Sequence, residues 1–324
     1  MELRRFRLKL DAAGPFGTPP TSGTLFGHLC WSLRAQHGRE WLQTWLDRLP
    51  QEPFALSDML PANYLPRPLL PTSRRTTDAT PDLEKPLKRR KLISLDAWRN
   101  LRLDASEPVL RKLLVTIRGG RPSVPPDPAL FAVSRLPHNR IDRQSGKTPE
   151  AGGGGLWFAD DLWPVPARDA GRTAWADLYI RSSLPAAELE ALLADIGEQG
   201  FGRDATLGRG RFAVEGGDAE NWLDDRISGK GQQRMMSLSQ GFVSANMMDA
   251  RWQRFVLFGK VGRTMMAEGR RAWKLPLMLA QSGATFSPAD GGPYGAWVTG
   301  VHQDDPAIGH NGFHLAIPYS EAAP

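Results

Sequence analysis

The residues best suited to chemistry lie together in GFGRDATLGRGRF, from Gly200 to Phe212, which holds four glycines (Gly200, Gly202, Gly208, Gly210) and three arginines (Arg203, Arg209, Arg211). Fixing a glycine costs backbone entropy, so such a cluster points to positive φ values or to a close approach of the main chain to another molecule. The interleaved arginines offer charge and paired N–H donors to an anion. The residues alone leave two readings open. One is a loop whose exposed N–H groups and guanidiniums hold backbone phosphates of a longer nucleic acid; the other is an ordinary glycine-rich turn. A nucleotide pocket does not fit. A P-loop needs a strand before it, a helix after it and a Lys-Ser/Thr pair, and a dinucleotide fingerprint also runs from strand to helix. Here a helical pattern enters and a strand pattern leaves.

Two further basic clusters precede this loop. KPLKRRKLISL crowds Lys85, Lys88, Arg89, Arg90 and Lys91 before an apolar segment, although charge runs commonly line a solvated face. RLPHNRIDRQSGKT sets Arg135, His138, Asn139, Arg140, Arg143 and Lys147 close together, combining cations for phosphate with side chains that bond base edges or ribose. Catalytic signals are sparse. His28, His138, His302, His310 and His314 show no metal-ligand spacing, and neither a nucleophile elbow nor a paired-carboxylate motif stands out. No cofactor or metal is expected.

Positioning these residues falls to the elements around them. In RRFRLKL, Phe6, Leu8 and Leu10 alternate with Arg5, Arg7 and Lys9, the period of a half-buried strand with one basic face. TSGTLFGHLCWSLRAQHG offers Thr21 or Ser22 as N-cap, an apolar stripe of Leu25, Phe26, Leu29, Cys30 and Leu33, and Gly38 as a stop. From about 51 to 166 the pattern turns irregular and proline-rich, with AGGGG at 151–155 as a flexible tip, and reads as an insertion. AWADLYIRS then places Ala176, Leu178 and Ile180 on one strand face. SSLPAAELEALLADIG follows with a stripe of Leu189, Leu192, Leu193 and Ile196, capped by Ser183 and ended by Gly197. RFAVEG continues as a strand after the glycine loop.

This order matches a ferredoxin-like βαββαβ unit with one strand hidden in the insertion. A first domain is expected over 1–225, with the boundary near NWLDDRISGKGQQR. A β-rich second domain is expected over 226–324, with strands in RWQRFVLFGKVG, GPYGAWVTGVHQ and FHLAIPYS. The fold class is α+β.

A chain of 324 residues has room for two domains. Its 41 Lys+Arg against 35 Asp+Glu give a net charge of +6, which favours a polyanionic partner. The single cysteine, Cys30, excludes an internal disulfide framework and a cysteine-cluster zinc site, and points to a reducing compartment. No stretch approaches the roughly 20 apolar residues of a membrane span, and no apolar signal-peptide core follows MELRRFRLKL. A cytoplasmic protein without membrane contact is expected. The eleven tryptophans read as core and interface anchors rather than stacking platforms.

In order and content, GTLFGHLCWSLR, KLISLDAW, LPHNRIDRQSGKT, GFGRDATLGRGRF and GHNGFHLAIPYS resemble the RAMP superfamily of CRISPR proteins. Within it the chain is similar to the Cas five-type subunit of type III-A effector complexes, fourth in the Csm series. The resemblance implies two ferredoxin-like, RNA-recognition-type domains, the first with a long insertion. It implies a non-catalytic subunit that binds the 5′ tag of the CRISPR RNA, caps the effector, and meets the large polymerase-like subunit and the backbone RAMP subunit. Carried over, Gly200 to Arg211 would meet RNA backbone and His138 to Arg143 would lie near the tag; the basic run itself adds Lys88, Arg89, Arg90 and Lys91 as expected RNA contacts. The loop departs from the usual lysine- and serine-containing form. A rival within the superfamily is a metal-independent endoribonuclease using His28 or His138 as general base on a 2′-OH.

Overall fold

The computed structural model describes residues 1–11, 14–72, 81–148, 155–166, 173–227, 231–262, 269 and 271–322. Strand β1 (Leu3–Leu10) follows the alternation of its sequence: Phe6, Leu8 and Leu10 are buried, and Arg5, Arg7 and Lys9 take the other face. Helix α1 (Ser22–His37) buries Leu25, Leu29 and Leu33 and stops at Gly38, whose φ of 89° suits glycine. Thr21 is the N-cap residue but makes no side-chain cap bond. The Ser22 N–H donates instead to the Asp58 carboxylate at 2.8 Å, which satisfies an end donor from a distant loop.

Helix α2 (Arg39–Arg48) leads to two short strands, β2 (Ala55–Leu56) and β3 (Leu60–Pro61). The stretch read as irregular then proves well built. It contains β4 (Tyr64–Pro66), α3 (Pro81–Arg89), β5 (Leu92–Ser94), α4 (Leu95–Leu101), α5 (Glu107–Leu114), β6 (Thr116–Arg118) and β7 (Arg121–Ser123). A nine-residue antiparallel ribbon closes it, β8 (Phe131–Asn139) on β9 (Leu156–Pro164). The glycine tip, apart from Gly155, lies outside the described residues.

After the ribbon come β10 (Ala174–Arg181), α6 (Ala186–Gln199) and β11 (Phe212–Ala219). Leu189, Leu192, Leu193 and Ile196 are all buried, as their spacing requires. Both ends of α6 differ from expectation. Pro185 is the N-cap residue, while the Ser183 hydroxyl donates to Glu52 at 3.4 Å. Gly197 sits inside the helix, where a Cβ would collide with the Phe212 carbonyl, so it is there for close approach of β11 rather than as a stop.

The first sheet runs β11-β1-β10-β2, with β3 also on β10, and every pairing is antiparallel. Beyond α7 (Asn221–Asp224), strands β12 (Gln232–Ser237), β13 (Met247–Arg251), β14 (Arg254–Leu257), β15 (Leu277–Ala280), β16 (Thr285–Pro288), β17 (Trp297–Val298), β18 (His310–Asn311) and β19 (Ala316–Glu321) follow. They form a sheet of order β13-β16-β12-β19 and the pairs β14-β15 and β17-β18. Among the described residues no helix follows α7. One apolar core joins both parts, from Leu3, Phe6 and Leu189 to Met236, Leu315 and Tyr319.

The GHNGFH motif of the C-terminal part is structural. The Asn311 side-chain amide donates to the Phe54 carbonyl at 2.8 Å, and His314 bridges the Ser237 hydroxyl at 2.7 Å and the Phe242 carbonyl at 3.0 Å. Among the described residues no helix is long and apolar enough to cross a membrane.

Candidate nucleic-acid interface

The glycine loop leaves α6 at Gly200 and returns to the sheet at Phe212 around a single 3-10 turn, Ala205–Leu207. All four glycines have positive φ: 93° at Gly200, 80° at Gly202, 85° at Gly208 and 70° at Gly210. Asp204 joins them at 60°, a value asparagine and aspartate tolerate best among residues with a Cβ. Three glycines also serve close packing. A Cβ at Gly200 would meet the Arg209 carbonyl, one at Gly202 the Thr18 side chain, and one at Gly210 the Phe201 backbone. Around Gly208 the space is open.

The glycine N–H donors of the loop are already paired within the protein. Gly200 N–H reaches the Ile196 carbonyl, Gly208 the Ala205 carbonyl and Gly210 the Pro15 carbonyl, each at 2.9 Å, while Gly202 donates to His28 Nε2 at 3.0 Å. The expectation that exposed glycine N–H groups cradle phosphates is therefore corrected. Gly200 and Gly210 are buried and Gly202 and Gly208 partly so, and the protein itself supplies an acceptor for each N–H. The glycines shape the loop; its anion chemistry rests on the arginines.

Arg203 and Arg209 both turn to Asp161 on β9. Arg203 Nη2 donates to Asp161 Oδ1 at 3.1 Å and to the Asp160 carbonyl at 3.0 Å, and Arg209 Nη1 donates to the same Oδ1. Asp161 is only 1% exposed, whereas the arginine side chains are 35% and 15% exposed. Arg211 is exposed and donates to the Glu198 carbonyl in the last turn of α6, where positive charge is favoured. Nothing in the sequence singled out Asp161. Its partners lie 42 and 48 residues away, and its own strand lay within the stretch read as irregular.

The ribbon carries the second cluster. His138 stacks on its cross-strand partner Trp157, with ring centroids 5.7 Å apart and planes 13° from parallel. Arg135 covers Phe158 at 5.1 Å. Val133, Leu136, Leu156, Trp157 and Phe158 are exposed, so the ribbon presents rings and cations to solvent. Asn139 closes its last pair, and Arg140, Arg143 and Lys147 lie in the exposed turn beyond. Asp142 orders that turn by accepting the N–H groups of Gln144 and Ser145. The foot of the ribbon touches the glycine loop: Phe16 pairs with Leu162, and its ring lies 5.1 Å from Phe131 and 6.1 Å from Phe201. The structure thus joins the glycine loop to the foot of the ribbon, whose far end carries His138 to Lys147.

The third cluster stands apart and is divided. Lys88, Arg89 and Lys91 are exposed at the end of α3, but Arg90 is turned inward. It pairs with Asp127 at 2.7 Å and donates to the Pro126 and Leu92 carbonyls. Reading Arg90 as a surface cation is corrected, because its guanidinium ties α3 and β5 to the segment before the ribbon.

His28 sits on α1 against Phe201, ring centroids 4.6 Å apart. Burial pushes its pKa down to about 4, which keeps the ring neutral and Nε2 able to accept from Gly202. A lone pair already engaged by a backbone N–H is not available to take a proton from a 2′-OH.

No family model and no curated protein matches the sequence. Solved structures do. The chain is similar to one in a Csm1-Csm4 cassette in complex with AMPPNP (TM-score 0.54, 16% identity, 99% of each chain). It is similar also to one in a Csm3-Csm4 subcomplex of the type III-A CRISPR-Cas interference complex (TM-score 0.57, 15% identity, 98% of this chain and 99% of that one). Over nearly its whole length the protein therefore has the fold of Csm4 from type III-A CRISPR-Cas complexes, in agreement with the family resemblance carried by its motifs.

Proposed function

We propose that the protein is a non-catalytic RNA-binding subunit of a type III CRISPR effector, holding the 5′ tag of the CRISPR RNA and capping the assembly. The observation that carries this reading is the junction of the glycine loop with the ring- and cation-bearing ribbon through Asp161 and Phe16. Rings on which bases stack, beside guanidiniums that take phosphates, suit a single strand. Arg203, Arg209 and Arg211 supply charge; His138, Asn139, Arg140 and Arg143 supply ring and hydrogen-bonding contacts; Lys88, Arg89 and Lys91 extend the basic surface. The large polymerase-like subunit and the backbone RAMP subunit are proposed as partners, supported by neighbours found with Csm1 and with Csm3.

The strand order β11-β1-β10-β2 around α1 and α6 supports a ferredoxin-like N-terminal unit over 1–225. The second sheet supports a β-rich unit over 226–324. A cytoplasmic location goes with this role.

The test is salt-dependent binding of single-stranded RNA. Replacing Arg203, Arg209 and Arg211 by alanine should lower the log–log salt slope by about 2, at roughly 0.7 per phosphate. An unchanged slope and affinity would remove these arginines from the interface. Incubation with repeat RNA in chelator should leave the RNA intact; defined cleavage lost in His28→Ala or His138→Ala would install the endoribonuclease instead.

A further inference from the structure

Asp161 gathers two guanidiniums on one oxygen, Oδ1, while itself almost fully buried. Side by side without it, two like charges would repel and spread into water. The arginines enter from opposite sides of the 3-10 turn and the carboxylate comes from β9, so one oxygen binds both arginines to the ribbon, and the Asp160 carbonyl adds a second bond to Arg203. Each arginine meets Asp161 through one terminal nitrogen, Nη2 of Arg203 and Nη1 of Arg209. The other terminal nitrogen of each stays outside that pair.

We infer that Asp161 is a positioning residue for phosphodiester recognition, resting on the reading of this loop as an RNA contact. It orders both arginines when the chain folds, so that RNA meets a fixed two-pronged cation rather than two mobile side chains. Ordering a long side chain on binding costs entropy, and planar guanidiniums reward fixed orientation more than lysines do. With Asp204 3.6 Å from Arg203 and 4.0 Å from Arg209 the charges of the cluster cancel, so its attraction for a phosphate comes from fixed guanidinium N–H donors rather than from net charge.

The sign of one substitution separates positioning from bulk charge. Asp161→Asn makes the chain more positive by one unit, and a field argument alone predicts tighter RNA binding. Positioning predicts weaker binding. The experiment titrates a labelled oligouridylate, over a range of salt, into wild-type protein, D161N, D161E and R203A/R209A, each checked for folding by circular dichroism. D161N should weaken binding about tenfold and lower the salt slope by about 1, at roughly 0.7 for each lost phosphate. D161E should restore part of both.

Binding by D161N at or above wild-type strength with an unchanged slope, alongside weak binding by R203A/R209A, would overturn the inference and leave the RNA reading standing. Wild-type binding by R203A/R209A would overturn both. Should D161N fail to fold, Arg209→Lys keeps the charge but loses the planar fork: a similar loss supports positioning, and unchanged binding overturns it.

Discussion

His28 on α1 accepts the backbone N–H of Gly202 at 3.0 Å, so a helix in the core fixes the entry of the glycine loop. Removing the acceptor leaves a donor without a partner, at about 1 to 3 kcal/mol. His28→Phe should lower unfolding free energy in urea by that amount. A loss below about 0.3 kcal/mol, within the error of such measurements, would show that water or relaxation replaces the bond.

Three largely buried histidines make the fold acid-sensitive. Burial lowers His28 and His314 to about 4, and burial with the Lys274 charge lowers His310 to about 3. These are bases with depressed folded values, so below the ordinary 6.5 the unfolded chain takes up protons that the folded chain refuses. Stability is therefore complete above pH 6.5 and falls as pH drops towards 4. Between pH 7.5 and 5.0 each histidine should account for a loss of about 2 kcal/mol, read by urea denaturation. His28→Phe should remove one share of that slope.

Two glycines should respond differently to alanine. Gly208 has positive φ in open space, so Gly208→Ala should cost about 1 kcal/mol. Gly210→Ala adds a collision with the Phe201 backbone and should cost about 3 kcal/mol. Equal costs, measured by chemical denaturation, would mean that the Phe201 turn yields freely.

Periodic segments were legible from sequence because burial on one face leaves a pattern. Phe6, Leu8 and Leu10, and then Leu189 to Ile196, fall where their spacing placed them. The positive φ values of the glycine loop were legible too, since glycine clusters have few other uses. What those glycines contact was not legible: Gly202 packs on Thr18 and donates to His28, both distant in the chain. The ribbon was missed for a similar reason. Its β8 strand carries the exposed Val133 and Leu136, and β9 the exposed Trp157 and Phe158 next to the buried Asp161, so neither shows a clean apolar alternation.

Arg90 and its neighbours should separate structure from surface. Arg90→Ala breaks a largely buried pair with Asp127 and should cost about 3 kcal/mol. Lys88→Ala and Arg89→Ala should stay within about 0.5 kcal/mol. Thermal denaturation of the three variants decides; an unaffected Arg90→Ala would mean its carbonyl contacts contribute nothing.

The exposed rings of the ribbon should bind an apolar-surface dye. Trp157→Ala with Phe158→Ala should reduce dye fluorescence while leaving stability within about 0.5 kcal/mol, since both side chains are exposed. Unchanged fluorescence would move the accessible apolar surface to exposed residues such as the paired Val256 and Met278 of β14 and β15.

Binding of the CRISPR RNA 5′ tag by ribbon and loop is read out by ultraviolet crosslinking of the protein purified with its neighbouring subunits, with sequencing of the attached RNA and mass spectrometry of the attached peptides. Short RNAs sharing one repeat-derived 5′ end are expected, joined to peptides from the ribbon around His138 to Lys147 and from the loop around Arg203 to Arg211. Recovery of the subunits with no RNA on either segment, or with RNA of random 5′ ends, would contradict this binding.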